Sequence, residues 1–161
     1  MKKLQGHTLA ELMLCLCIGG ILLGIALPSF NTALQRSRQA EATNLLLGAV
    51  HYARNTAVMG RQRVSLCSGH RQCNTQRRWH EDLLVFFDDN GNGQLDAGES
   101  LLRQITLPKQ ASWYWSNFRR LHYLQFEADG TTRALNGTLT LCLENQPARQ
   151  IVINLTGRTR T

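Results

Sequence analysis

The stretch TLAELMLCLCIGGILLGIAL, residues 8–27, decides the fold because it is a long apolar run with a single charge, Glu11. About 20 such residues make a helix that spans the hydrocarbon core of a bilayer. Lys2 and Lys3 stand just before it, which predicts a cytoplasmic N-terminus and an exported C-terminal domain. An ionised carboxylate in lipid needs a partner, so Glu11 indicates a functional or assembly site.

Residues 28–60 continue as an amphipathic helix, with apolar positions such as Leu34, Leu45 and Leu46 at helical spacing and Gly60 as a stop. Residues 61–161 change to short apolar runs separated by turn signals such as Asn90-Gly91. We therefore predict an α+β fold in which one long N-terminal helix packs on an antiparallel β-sheet ectodomain. The predicted strands are residues 61–67, 82–87, 101–107, 112–115, 121–127, 138–143 and 149–155.

The formal net charge is +7, although several acids crowd into one loop, residues 88–99. Every base after Lys3 is an arginine except Lys109. Arginine is suited to bidentate recognition of phosphate or carboxylate. The charge distribution indicates a polyanionic partner, with a merely solvated basic surface as the alternative. We expect no enzyme, because the chain has no G-x-S-x-G, P-loop or H-E-x-x-H motif and its histidines are scattered.

Cys67 and Cys73 bracket a short loop that an oxidising compartment would close as a disulfide. The alternative is a metal site, since Cys67, His70, Cys73 and His80 have a C-x2-H-x2-C-x6-H spacing. Cys142 is left as a buried thiol or as a partner of either of these cysteines.

Residues 88–99, DDNGNGQLDAGE, fit the calcium-loop pattern D-x-[DN]-x-[DN]-G-x5-E. Strand-like runs flank this acidic loop where an EF-hand has helices, so a plain hairpin turn is the alternative to a possible Ca²⁺ site. No cofactor is otherwise required. The oxygen ligands would come from Asp88, Asn90, Asn92, Gln94 through its carbonyl, Asp96 and Glu99.

The run GHTLAELM at residues 6–13, followed by the apolar helix and Pro28, resembles the class III leader and N-terminal helix of type IV pilins and type II secretion pseudopilins. This resemblance implies that residues 1–6 form a leader that a prepilin peptidase removes after Gly6. His7, where the family usually has Phe, would become the methylated first residue. Residues 7–27 would form the transmembrane and assembly helix, in which Glu11 pairs with the N-terminal amine of a neighbouring pilin.

The segments VSLCSG, LLVFFDDNGNGQLDAGESLLR, LCLEN and IVINLTGRTRT are similar to the GspH/FimT family of minor pilins and pseudopilins. In that family one branch primes or caps a secretion pseudopilus. The FimT-like branch lies in type IV pili, and some members are implicated in DNA uptake during natural transformation. The resemblance implies an inner-membrane protein with a periplasmic ectodomain that later enters a pilus or pseudopilus.

The C-terminal run GRTRT begins at Gly157, which would supply the freedom to turn the tail away from the sheet. In an extended tail Arg158 and Arg160 point the same way about 6 to 7 Å apart, so both can contact phosphates of one strand. The run resembles the GRxR element of FimT-like DNA-binding pilins, which implies non-specific contact with double-stranded DNA. A structural GspH-like pseudopilin or pilus-tip subunit without DNA binding is the alternative. The bases that would extend the contact are Arg149, Lys109, Arg119 and Arg120.

Overall fold

The computed structural model describes residues 9–80, 82–143 and 146–161. One helix, α1 (Leu9–Gly60), precedes all the strands. The strands are β1 (Val64–Ser68), β2 (Arg78–Trp79), β3 (Asp82–Phe87), β4 (Leu101–Thr106), β5 (Ala111–Asn117), β6 (Leu124–Phe126), β7 (Gly137–Leu143), β8 (Gln146–Ile153) and β9 (Thr159–Arg160). The chain divides into two compact units, Met1–Arg38 and Gln39–Thr161.

The described residues of the first unit form the N-terminal part of α1. Its side chains are nearly all exposed, and its most apolar window has a mean hydropathy of 2.3, so α1 is long and apolar enough to cross a membrane. Glu11 lies in the first turn of this helix, and Pro28 lies within it. Gly6 and His7 are outside the described residues, so cleavage and methylation stay predictions.

The second unit has two antiparallel sheets, with strand orders β4-β3-β1-β6 and β2-β5-β7-β8-β9. The C-terminal half of α1 buries one stripe of small and aliphatic side chains against both of them. These side chains recur every three or four residues, which is the spacing of one helix face. The stripe consists of Ala42, Leu46, Ala49, Val50, Ala53 and Ala57.

The five-stranded sheet has a core-facing side and an outer face. Trp113 and Trp115 of β5 are fully buried, whereas Tyr114 between them is 41% exposed. Cross-strand partners in an antiparallel pair share a face, so the pairing register extends this assignment to every strand. The outer face comprises Arg78, Ser112, Tyr114, Ser116, Thr138, Thr140, Cys142, Gln150, Val152 and Arg160.

The predicted α+β architecture is confirmed, and α1 ends at the expected Gly60. The left-handed residue that ends the helix is Arg61 (φ 51°), so β1 begins at Val64 and not at residue 61. The strand predicted over residues 121–127 is reduced to β6. The side chain of Asn117 donates to the Leu121 carbonyl and accepts from its amide, which holds residues 117–121 in a turn.

Cys67 and Cys73 form a disulfide with a Cα–Cα distance of 5.6 Å. The alternative metal site is therefore wrong, because its two thiolates are joined to each other. His70 instead lies with its Nδ1 2.8 Å from a carboxylate oxygen of Asp82. Cys142 is a free, partly exposed thiol on the outer face.

Candidate nucleic-acid interface

The C-terminal arginines lie on a β-hairpin that joins β8 to β9. The Asn154 amide donates to the Arg158 carbonyl at 3.0 Å, and the Gly157 amide donates to the Asn154 carbonyl at 3.0 Å. The Asn154 side chain accepts from the Arg158 amide at 2.8 Å. Asn at the first position of a type I turn and a left-handed Gly at the fourth are typical of three-residue hairpin loops. We call residues 154–160 the C-terminal hairpin.

The prediction that Gly157 turns the tail away from the sheet is wrong. Gly157 (φ +73°) instead returns the chain to the sheet, where Val152 pairs with Arg160 and Ile153 with Thr159. Its position is also close-packed, because a Cβ there would lie 2.2 Å from the Gly130 carbonyl oxygen. The tail is thus an ordered edge strand.

The guanidinium group of Arg54 on α1 holds the loop of this hairpin by hydrogen bonds. Its Nε donates to the Gly130 carbonyl at 3.1 Å, and its Nη2 donates to the Thr156 carbonyl at 3.2 Å. The Thr132 amide adds a bond to the Leu155 carbonyl at 3.0 Å. One arginine therefore joins two turns that are distant in sequence, a role that sequence analysis did not identify.

Arg158 and Arg160 are both exposed on this hairpin. Arg160 shares the outer face with Val152 through their pairing, and Arg158 lies two residues before it on the same strand. None of the outer-face residues defined above, all within the described part of the chain, is Asp or Glu. The hairpin arginines therefore border a surface that carries no Asp or Glu among these described residues.

The other predicted bases fall into two groups. A single row of paired residues crosses the sheet through Asn117, Gly137, Ile153 and Thr159. Arg119 and Arg120 follow that row in the turn after β5 and are exposed, so they lie at the same end of the sheet as the hairpin.

Lys109 lies at the opposite end of the sheet, and Arg149 lies on the other side of the sheet from the outer face. Lys109 precedes the first residue of β5, and the length of this strand, about 20 Å, separates that residue from Asn117 at the hairpin end of the sheet. Arg149 pairs with the buried Leu141 and so belongs to the core-facing side, although its own side chain is exposed at the sheet margin. The structure therefore does not bring these two bases together with Arg158 and Arg160.

Acidic side chains near the hairpin lie in the turn that contains Gly130. Glu127 is 3.3 Å from Arg63 and 3.9 Å from Arg133, so its charge is compensated. Asp129 accepts first from the hydroxyl of Thr131 and also from its amide. These bonds favour the ionised form and hold the pKa of Asp129 below its ordinary value. Asp129 is therefore a fixed negative charge beside the loop of the hairpin.

The acidic loop, residues 88–99, connects β3 to β4, so its flanks are strands as the sequence indicated. Asp88 is fully buried and accepts from the amides of Gly91, Asn92 and Gly93 at 2.7, 3.1 and 3.0 Å. Gln125 donates to the same carboxylate at 2.7 Å. This buried carboxylate explains the compact turn by hydrogen bonding alone.

The remaining side chains named as calcium ligands bond mainly within the acidic loop. Asn90 and Asn92 each donate to Asp96 at 2.8 Å, which lowers the pKa of Asp96. Glu99 accepts from the amides of Asp89 and Asp96. Across residues 9–80, 82–143 and 146–161, no group of three or more His, Cys, Asp or Glu is arranged to hold a metal ion. Calcium binding stays a prediction.

Gln94 was expected to offer its carbonyl to calcium. Its side-chain amide lies 2.7 Å from the His122 ring, outside the acidic loop. Glycine is required at position 93 for two reasons. Its φ of +70° is left-handed, and a Cβ there would lie 2.1 Å from the Tyr123 ring. The loop is thus packed onto the segment before β6.

A long apolar N-terminal helix, a second unit with two antiparallel sheets and a disulfide-closed loop together define a pilin-like subunit. The family model for type II transport protein GspH matches residues 42–157. The chain belongs to this family and is a type IV minor pilin or pseudopilin.

Solved structures agree with this assignment at the level of the fold. Two crystal forms of the type IV minor pilin FimU of Pseudomonas aeruginosa match with TM-scores of 0.56 and 0.57 at 22% and 23% identity. The matches cover 76% and 78% of this chain and 90% and 88% of FimU.

Among curated proteins, the pilin-like protein PilA1 of Thermus thermophilus is 33% identical over 98 residues. The match covers 59% of this chain and 55% of PilA1, so this chain spans just over half the length of that relative.

Proposed function

We propose that this minor pilin binds DNA without sequence preference through Arg158 and Arg160, and so contributes to DNA uptake during natural transformation. The observation that carries the proposal is the ordered C-terminal hairpin. It holds two exposed arginines at the edge of a face whose described side chains include no carboxylate. Both guanidinium groups are thereby available to phosphates.

Phosphate contacts of this kind are electrostatic, because each neutralised phosphate releases bound counterions. The logarithm of the association constant then falls linearly with the logarithm of the salt concentration, by about 0.9 per contact for duplex DNA. Replacing two contacting arginines should therefore lower the slope by roughly 1.8 and weaken binding at low salt by about tenfold or more.

The test is a fluorescence-anisotropy titration of double-stranded DNA with the full chain in nonionic detergent. It compares Arg158→Gln/Arg160→Gln with Lys109→Gln/Arg149→Gln, which removes the same charge from residues outside the outer face. We expect the first pair to lose most of the affinity and the second to lose little. Equal losses would mean that net charge, and not the hairpin, binds DNA, and the proposal would then fail.

A third variant tests whether a negative charge beside the hairpin weakens DNA binding. Asp129→Asn removes a fixed negative charge beside the hairpin, so it should tighten DNA binding about two- to fivefold at low salt. The gain should disappear at high salt, where exposed charges are screened. A variant with unchanged or weaker affinity would place the bound DNA away from the hairpin.

Assembly is the second part of the proposed function. Pilin-family membership suggests contact with other pilins, and we propose that the apolar first unit makes it, with Glu11 pairing with the amine of His7 of a neighbouring subunit after cleavage behind Gly6. The mass of the protein purified from membranes tests the cleavage. A strain in which this protein is deleted tests whether it works in a type IV pilus or in a secretion pseudopilus. Loss of transformation supports the pilus role. Loss of protein secretion with normal transformation supports a type II secretion pseudopilin without DNA binding.

A further inference from the structure

We propose that the outer face beside the C-terminal hairpin also holds unpaired bases, with Phe118 as the side chain on which a base stacks. Single-stranded DNA is then a ligand of this surface in its own right. The inference rests on the DNA binding proposed above and names the form of DNA that the site accommodates.

The aromatic residues around β5 differ sharply in exposure. Trp113 and Trp115 are fully buried, and Tyr114 is 41% exposed with the guanidinium group of Arg77 over its ring, 5.5 Å from the centroid. Phe118, in contrast, is 83% exposed. An exposed phenyl ring has no hydrogen-bonding group to interact with water. Bases of any sequence can stack on its two faces.

Pairing register places Phe118 relative to the arginines. Asn117, the last residue of β5, stands in the row that ends with Thr159 of β9, three strand spacings or about 14 Å away. Phe118 follows Asn117 directly, in the turn after β5, so it stands at the β5 side of the end of the sheet that carries Arg158 and Arg160. The ring and the arginines thus lie at opposite margins of one end of the sheet.

A shallow cavity of about 430 Å³ lies between these margins. Val152 and Leu155, which are 44% and 55% exposed, form its apolar part. Asn136, Thr138 and Asn154 provide polar groups at its border.

An exposed aromatic ring, an apolar cavity and two arginines together fit an unpaired DNA strand better than a duplex or an uncharged protein partner. A duplex presents phosphates and sugar on its outside and keeps the faces of its bases stacked. It would therefore make no stacking contact with Phe118 and no apolar contact with the cavity. An uncharged apolar partner would leave Arg158 and Arg160 unpaired at its border. A flexible polyanion with exposed base faces satisfies both parts of the surface.

The experiment measures anisotropy of the full chain in nonionic detergent with three 12-nucleotide probes: a single strand, its duplex, and a single strand without bases. Phe118→Ala should weaken the single strand roughly 5- to 150-fold, the range for loss of one base–aromatic stack. It should leave the duplex and the base-free strand unchanged. It should also leave the salt slope unchanged, because stacking releases no counterions.

Two further variants sharpen the comparison. Phe118→Leu keeps an apolar side chain but loses the aromatic face, so it should resemble the alanine variant. Leu101→Ala removes another exposed apolar side chain, 46% exposed on β4 of the other sheet, and should have no effect.

Each outcome separates this inference from the proposed function. If no probe binds, the proposed function fails. If all probes bind and Phe118→Ala changes none of them, or changes all of them equally, the function stands and the stacking inference is overturned. If light scattering shows that Phe118→Ala dissociates a dimer, the surface holds a second copy of the chain and the inference is also overturned.

Discussion

Gly157→Ala should destabilise the C-terminal hairpin although it removes no charge. A left-handed φ of +73° costs an L-residue roughly 1 to 2 kcal/mol. The new Cβ would lie 2.2 Å from the Gly130 carbonyl oxygen and 2.8 Å from Arg54 Nε, so one of these partners must move. Losing one or two of the hydrogen bonds in this contact adds about 1 kcal/mol each. We therefore expect a total loss of about 2 to 4 kcal/mol.

The assay is urea unfolding of a fragment with residues 39–161, which contains the buried stripe of α1 and both sheets. All three tryptophans are fully buried, so their fluorescence reports loss of the core. Hydrogen exchange of the Arg158 amide reports local opening of the hairpin, since that amide donates to Asn154.

The matched control is Gly98→Ala, where an added Cβ meets nothing within 4 Å and φ is not positive. It should change stability by less than about 0.5 kcal/mol. Gly157→Ala should also weaken DNA binding as much as loss of Arg158 and Arg160, because the arginines are no longer held at the sheet edge. An alanine variant with unchanged stability, exchange and affinity would refute the account of the hairpin.

Three further predictions concern the rest of the ectodomain. Cys67→Ser/Cys73→Ser opens a loop with a sequence separation of 6, so the unfolding free energy should fall by about 2 kcal/mol, measured with urea against the unreduced protein; an unchanged midpoint would contradict this. Hydrogen bonds from Gln104 first, then from His70 and Thr106, hold the pKa of Asp82 below its ordinary value. Its stabilising effect is therefore present above the ordinary aspartate pKa of about 4 and is lost as pH falls through the lower folded value, so Asp82→Asn should flatten the acid limb of the stability profile. Finally, millimolar calcium should raise the melting temperature through the acidic loop, and Glu99→Gln should abolish the rise; a melting temperature that does not respond to calcium in the parent chain would remove the prediction.

Much of the fold could be predicted because its signals are periodic and local. The stripe on α1 recurs at helical spacing, and Trp113, Tyr114 and Trp115 alternate between buried and exposed as residues of a half-buried strand do. The strand over residues 121–127 was predicted too long, because the Asn117 side chain competes with strand pairing by bonding both backbone groups of Leu121.

The hairpin could have been found in the sequence, whereas its support could not. Asn154 and Gly157 stand at the first and fourth positions of a type I turn, which is a local signature of a hairpin loop and contradicts the prediction of a tail that turns away from the sheet. Arg54, however, reaches carbonyls 76 and 102 residues away in sequence. Such a contact depends on how the helix packs in three dimensions, and no local pattern predicts it.

The bonds of Arg54 have a mechanical consequence. If a DNA strand held by Arg158 and Arg160 is pulled, the load enters a hairpin whose loop is joined directly to α1 through the Thr156 carbonyl and, through Gly130, to a second turn. Force is then shared between strand pairing and the helix, and β9 is not simply peeled from the sheet edge. On the proposal that this hairpin binds DNA, a single guanidinium group provides the connection through which such a load reaches the helix.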